Sequence, residues 1–353
     1  MSLGVSVIIC CHNSGKRLPE TLRHLAAQQV SADVPWEIVV VDNASTDDTA
    51  TIAVGNWPAA FAGRLRVVSE PNPGLCYARI RGIREARHEV ISFLDDDNWA
   101  SSDWVGRVSA LFSDRPEIGA SGGRVEAVCE ITPPDWFESL QGYYAVGRQH
   151  GRSGDITNAS GTLLFGAGLN LRTAAVRELL DHGFAFLMSG REGNLLLSGE
   201  DTELCFALRA MGWRLWYDDD LMLRHFVSKE RLHWDYARRL MLGMGKASVF
   251  LDAYLSALDL PPFDVRPAWK KTWLFQLLKA LRQWSVEILS HPGDCVLEPE
   301  GSRAALRFES ARGRLAMLWN MRRRYPKLKD AIARADWARA GEKRLGFPVK
   351  TTA

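Results

Sequence analysis

The first 125 residues alternate short, wholly apolar runs with stretches in which apolar residues recur every three or four positions. VSVIICC (5–11), WEIVVVD (36–42), RLRVVSE (64–70) and EVISFLD (89–95) read as buried strands. Residues 16–28 read as a helix with Leu18, Leu22 and Leu25 on one face. STDDTATIAVG reads as a second helix, N-capped by Ser45 with Asp47 and Asp48 in its first turn. GLCYARIRGIREA and SSDWVGRVSALF complete the alternation. Strands regularly followed by helices require crossover connections, so the pattern predicts a mostly parallel sheet covered by helices on both faces.

The pattern then changes. Residues 126–160 are irregular, and TLLFGAGLNLRT (162–173) reads as a strand broken by glycines. GEDTELCFALRAMGW is a helix with Leu204, Ala207, Leu208 and Met211 inward, ended by Gly212. WRLWYD and LMLRHFV read as two short strands, with Asp218 to Asp220 as the turn between them. From about Leu232 the chain reads as mostly helical, and WKKTWLFQLLKALRQWSVEIL places Trp269, Trp273, Leu277, Leu281, Trp284 and Ile288 at helical spacing. We expect an α/β domain over residues 1–235 and a helical region over 236–353.

Composition adds one asymmetry. The chain is nearly neutral overall, yet residues from Pro261 onward hold 19 Lys and Arg against 9 Asp and Glu. The acidic front part argues against nucleic acid as a partner. The six cysteines form no CxxC pair, and no apolar run reaches the about 18 residues of a membrane span. With no signal-like N-terminal stretch, these features suit a reducing cytoplasm. The basic tail either packs on the first domain, pairs with a second copy, or lies on a membrane surface through Lys270, Lys271, Lys279 and Arg282.

In parallel sheets, ligands bind beyond the carboxyl ends of the strands. Here those ends carry His12-Asn13, Asp42-Asn43, Glu70-Pro71-Asn72 and Asp95-Asp96-Asp97. Three consecutive carboxylates repel one another unless a cation offsets them. Oxygen ligands of this kind suit Mg²⁺ or Mn²⁺ that also binds a ligand's phosphates. The plainer alternative is a solvated loop in which Asp97 or Ser101 caps the next helix.

Taken in order, VSVIICCHN, EIVVVDNASTDDT, EPNPGLCYARIRGI and EVISFLDDDN resemble the family 2 glycosyltransferases, over roughly residues 4–235. The resemblance implies a GT-A (nucleotide-diphospho-sugar transferase) fold, Rossmann-like, with an appended helical region. It further implies an inverting, metal-dependent transfer of a single sugar from a nucleoside-diphosphate sugar, with UDP the expected nucleotide, to a hydroxyl acceptor.

Residue by residue, it implies a D-x-D motif in which Asp97 ligates the metal. Asp95 lies near the donor ribose or the metal, and Asp96 takes the variable middle place. Asp42 meets the nucleotide base, His12 stacks under it or is structural, and Arg79 meets the nucleotide or the acidic motif. Gly168 and Asn170 lie in a loop near the donor sugar or in a bulged strand. Asp201, after Glu200 at a helix start, is the base that deprotonates the acceptor while Glu200 orients it, or else the pair caps the helix. His225 completes the metal site, and Lys229 and Arg231 form a basic lid over the diphosphate.

A Q-x-x-R-W motif is missing, which favours single transfer over polymer extrusion. A lipid-linked acceptor, homo-oligomers and work at the inner membrane face are compatible with this reading. A nucleotidyltransferase on a similar fold, or an inactive sugar-nucleotide-binding scaffold, are the competing functions. The first needs a glycine-rich phosphate loop that CCHNSGKRL barely resembles.

Overall fold

A computed structural model describes residues 2–159, 164–188, 191–192, 195–196, 198–258 and 267–345. The expected alternation is present: β1 (Val5–Cys11), α1 (Leu18–Ala26), β2 (Trp36–Asn43), α2 (Thr49–Gly55), β3 (Leu65–Glu70), α3 (Leu75–Glu85), β4 (Val90–Asp95), β5 (Asn98–Ala100), α4 (Trp104–Asp114) and β6 (Ile118–Cys129). After it come β7 (Gly154–Asp155), β8 (Asn170–Arg172), α5 (Thr173–Asp181), the small hairpin β9 (Arg191–Glu192) and β10 (Leu195–Leu196), α6 (Glu200–Ala210) and β11 (Arg214–Val227). The helical tail runs through α7 (Trp234–Leu258), α8 (Trp273–Ser290), α9 (Pro292–Leu297), α10 (Arg303–Asn320), α11 (Tyr325–Arg334) and α12 (Asp336–Leu345).

The main sheet has the order β3-β2-β1-β4-β8-β6-β11-β5, with β7 also on β11. β3, β2, β1 and β4 are mutually parallel, and so are β6 and β11. β8 is antiparallel to β4 and β6, and β5 is antiparallel to β11. The central strands are apolar on both sides because each side has its own core. Val5, Val7 and Ile9 enter one cluster with the inner faces of α1 and α4, whereas Ile8 enters the other with α3, α5 and α6. That second core also takes Ala280 of α8, Leu318 of α10, Ile332 of α11 and Trp337 of α12. The tail therefore packs on the α/β sheet.

α7 and α10 cross closely through reciprocal glycines. A Cβ on Gly245 would meet the Ser310 carbonyl, and one on Gly313 would meet the Leu242 carbonyl.

Two local expectations are corrected. Ser45 does not cap α2: Asp48 holds the cap position, and Ser45 Oγ instead accepts the Asn13 N–H at 3.0 Å, tying together the ends of β1 and β2. Asp218 to Asp220 are not a turn between two strands. β11 is continuous and carries a bulge between Asp218 and Met222. Asp219 pairs with Arg148 at 2.9 Å, and Asp220 lies 3.5 Å from Arg107. Two of the three aspartates are thus paired with surface arginines, while Asp218 accepts the Asp220 N–H at 3.1 Å. Of the expected strand at 162–173, only Asn170–Arg172 is strand, and residues 160–163 lie outside the described residues.

Candidate active site

The carboxyl ends of β1, β2 and β4 open into a cavity of about 530 Å³, within the range of small-molecule sites. His12, Asn43, Arg79, Asp95, Asp97 and Asp201 are among its lining residues. Strand register accounts for the first part of this gathering, since Cys11 pairs with Asp42 and Cys10 with Asp95. Asn43 fastens the neighbouring ends by donating to the carbonyls of Glu70 (3.1 Å) and Asn72 (2.6 Å) and accepting from the Gly74 N–H (2.8 Å). Asp42 Oδ1 is buried with no hydrogen-bond partner. His12 is exposed, and its Nδ1 lies 2.8 Å from the Asn43 carbonyl.

The three aspartates of the first triplet point to three environments. Asp95 lies in the field of Arg79. Asp96 is clamped by Arg17, Nε to Oδ1 at 3.1 Å and Nη2 to Oδ2 at 2.6 Å. Burial pushes its carboxyl upward against that pairing. Asp97 meets His225 Nε2 at 3.4 Å and Arg231 Nη1 at 3.4 Å. Burial opposes its charge, but His225, Arg231 and Arg17 outweigh burial and hold the carboxyl well below the usual carboxylate range.

The Asp97–His225 contact joins residues far apart in sequence through the β5–β11 ladder. His225 is paired with Asn98, and the Phe226 N–H donates to the Asp97 carbonyl at 2.9 Å. Arg231 follows on a short 3₁₀ turn. Its Nη1 is 3.0 Å from His225 Nε2, its guanidinium lies over the rings of Tyr144 and Tyr236, and its carbonyl accepts from the Tyr144 hydroxyl at 3.0 Å. Lys229 is exposed, and its N–H donates to Glu130 at 2.8 Å.

A second acidic group faces the same cavity from the start of α6. The Asp201 carboxylate is oriented by two backbone donors, Gly166 N–H and Thr202 N–H, both at 2.7 Å. Burial, followed by the neighbouring Glu200, raises its carboxyl to about 6, while Arg79 and the backbone donors act the other way. Glu200 is buried 3.5 Å from Arg79 Nη1. Burial alone would weaken the charge on Arg79, but Glu200, Asp95 and Asp201 outweigh it and keep the guanidinium firmly charged. Arg79 is the link between the two acidic motifs. Gly166 permits this, because a Cβ there would collide with Arg79 Nη2.

Gly168 and Asn170 lie beside the cavity rather than on it. Gly168 has φ +76°, a Cβ on it would meet Leu223 and Trp104, and the buried Asn170 donates to its carbonyl at 3.1 Å. The preceding Gly166 and Ala167 line the cavity instead. One turn along α6, the buried Glu203 accepts the N–H groups of Leu187 (3.1 Å) and Met188 (3.3 Å), and burial pushes its carboxyl up to about 8. It anchors the segment that precedes Glu200. Burial also pushes the Cys10 thiol up to about 12, so this cavity-lining cysteine presents no thiolate.

Arg17, Tyr144 and Tyr236 were not singled out from the sequence, although all three line the cavity. Arg17 lies in the connection that leaves the carboxyl end of β1, and that position at the ligand edge was its signal in the sequence. The two tyrosines had none.

A divalent cation was tested against this donor set. Asp97 Oδ1 and His225 Nε2 lie 3.4 Å apart, near the about 3 Å expected of two ligand atoms each about 2.1 Å from one ion. Among the described residues, no three His, Cys, Asp or Glu side chains converge on one point. A carboxylate and an imidazole suit an ion that takes its other ligands from a diphosphate, once Arg231 Nη1, 3.0 Å from the same His225 Nε2, gives way to it.

Residues 6–166 match the family model described as Glycosyl transferase family 2. Curated relatives include the glucosyl-dolichyl phosphate glucuronosyltransferase of Haloferax volcanii, 23% identical over 72% of this chain and 83% of that protein. Another is the succinoglycan biosynthesis protein ExoM of Rhizobium meliloti, 26% identical over 69% of this chain and 74% of that protein. Among solved structures, S. aureus TarS residues 1–349 in complex with UDP covers 98% of this chain and 93% of its own, with 17% identity and a TM-score of 0.48.

Proposed function

We propose that this chain, whose residues 6–166 match the family 2 glycosyltransferase model, transfers a single sugar from a nucleoside-diphosphate sugar, with UDP as the nucleotide, to a hydroxyl acceptor with inversion at the anomeric carbon. The observation that carries this reading is the pairing of two unlike acidic sites across one cavity. Asp97 is held ionised beside His225, whereas the Asp201 carboxyl is raised to about 6.

In this reading Asp201 removes the proton of the acceptor hydroxyl as that oxygen attacks the anomeric carbon from the face opposite the diphosphate. Its two oxygens are already oriented by Gly166 and Thr202, so little reorganisation accompanies proton transfer. A raised carboxyl is also a better proton acceptor than an ordinary aspartate, yet it stays mainly ionised near neutral pH. Glu200, committed to Arg79, positions Asp201.

Asp97 and His225 would hold Mn²⁺ or Mg²⁺. That ion would supply positive charge for the departing diphosphate. Arg231, whose charge lies against Asp97, adds a cation to the diphosphate side, with Lys229 on the same turn. Asp42 offers its unpartnered buried oxygen to an N–H of the nucleotide base, and His12 lies beside the base.

The names of the two relatives favour an acceptor that is itself a glycoconjugate, lipid-linked in the first case. We extend this to a lipid-linked or polysaccharide-type acceptor here. The test is nucleotide release from a panel of nucleotide sugars with Mn²⁺ and glycolipid acceptors. Donor binding without turnover across the panel would favour a binding scaffold, and pyrophosphate release from a nucleoside triphosphate plus sugar phosphate would favour a nucleotidyltransferase.

A further inference from the structure

Helix α8 has two apolar faces, and among the described residues only one packs on the rest of the fold. The inner face packs on α10. Trp273 Nε1 donates to the Leu318 carbonyl at 2.8 Å, Trp284 stacks on Phe308 at 6.0 Å, and Ala280 is fully buried. The outer face carries Leu274, Leu278, Leu281 and Leu289, spaced so that they fall on one stripe of a 3.6-residue helix. Their exposures are 57%, 55%, 39% and 80%. Trp269, just before the helix, and Val296 and Leu297 of α9 are also largely exposed. Single exposed leucines are ordinary, but a stripe of four along one helix marks a surface that is covered in use.

The charges on this face have one sign. The charged residues of α8 are Lys279, Arg282 and Glu287. Glu287 is buried and accepts from two Arg307 nitrogens, Nε at 2.7 Å and Nη2 at 3.1 Å. Lys279 and Arg282 are exposed, with Arg282 flanking the leucine stripe. Lys270 and Lys271 precede the helix, and the Lys270 ammonium sits 5.2 Å from the Trp269 ring centre.

From this we propose that the outer face of α8 lies flat on an anionic lipid surface. Its leucines enter the boundary between head groups and acyl chains, while Lys279, Arg282 and Lys270 meet lipid phosphates. A second copy of the chain is the weaker occupant. A two-fold pairing of this stripe brings Arg282 of each copy against the other's leucines. The helix's one carboxylate is already taken by Arg307. This inference goes beyond the donor and acceptor chemistry and does not depend on it.

The test uses the whole chain and flotation with vesicles of phosphatidylcholine alone or with 30 mol% phosphatidylglycerol added. Binding is expected to the anionic vesicles, at least tenfold weaker to the neutral ones, and sharply reduced between 50 and 500 mM salt. Leu278→Ser with Leu289→Ser should abolish binding, and Lys279→Glu with Arg282→Glu should remove its anionic-lipid dependence. Both pairs are solvent-facing, so circular dichroism and melting temperature should stay as in the parent protein. Absence of anionic-lipid binding, or binding indifferent to both double variants, overturns the proposal. So does a dimer in sedimentation that Leu278→Ser with Leu289→Ser converts to monomer.

Discussion

The Asp201 carboxyl makes the most exacting prediction. Burial and Glu200 raise it to about 6, about two units above an ordinary aspartate. Only the ionised form can take the acceptor's proton. A group of this pKa is about 90% ionised at pH 7 and about 10% at pH 5. The logarithm of kcat/KM should therefore climb with unit slope to about pH 6 and level off above it. Glu200→Gln removes the second cause of the shift and leaves burial in place. The break in the profile should then move down by up to about one unit without reaching the ordinary aspartate value. Asp201→Asn keeps an oxygen for the Gly166 N–H and should lose transfer by about a hundred- to ten-thousand-fold, with nucleotide binding retained. Nucleotide release across pH 4.5–8, with binding followed by calorimetry, reads all three effects. A profile flat down to pH 4.5, or an Asp201→Asn protein that still transfers sugar, would refute the reasoning.

Four further outcomes are expected. His225→Ala should weaken Mn²⁺ binding at least tenfold, measured by titration calorimetry with UDP present; an unchanged affinity removes His225 from the ion's ligands. Arg17→Ala leaves Asp96 buried without its partner. We expect a loss of about 2 kcal/mol in urea unfolding, below the ~3–5 for a wholly buried pair, because Arg17 is itself 40% exposed. Glu203, raised to about 8, binds its proton more tightly in the folded than in the unfolded chain. Its stabilising contribution is complete below about pH 4 and is lost as pH rises toward 8. Glu203→Gln should accordingly melt higher than the parent at pH 8 and not at pH 4.5; equal differences at both pH values contradict this. Finally, Gly313→Ala should force α10 away from Leu242 and destabilise by about 1–3 kcal/mol, seen as a lower melting temperature.

The strands were legible because their periodicity reports burial on both faces, and β1 to β4 fall within a residue or so of the expected bounds. The first acidic triplet was legible for a topological reason: a parallel-strand end is a ligand edge whatever the sequence of the rest. Its internal division was not. That Asp96 turns to Arg17 while Asp97 turns to His225 depends on side-chain directions within one tight connection, and on a β5–β11 pairing formed across 127 positions of chain. The role of Arg79 as a link between Asp95 and Glu200 likewise needs α3 and α6 to be docked first. The second triplet misled because aspartates favour turns and bulges alike, and only the partner strand distinguishes them. In the tail, helical spacing identified α8 but could not say which of its two apolar faces would find a neighbour.

The bulge in β11 has a consequence for how this site tolerates change. Gly123 and Arg124 are consecutive in β6, yet they pair with Asp218 and Met222, so Asp219, Asp220 and Leu221 have no counterpart. The strand is thereby indexed twice, once before the bulge and once after it. A residue gained or lost around the exposed Asp220 can be taken up in the surplus, whereas the same change after Met222 would turn His225 to the opposite face of the sheet. The second acidic triplet is therefore the place where this long strand can vary in length, or accept an inserted tag, with the histidine still opposite Asn98.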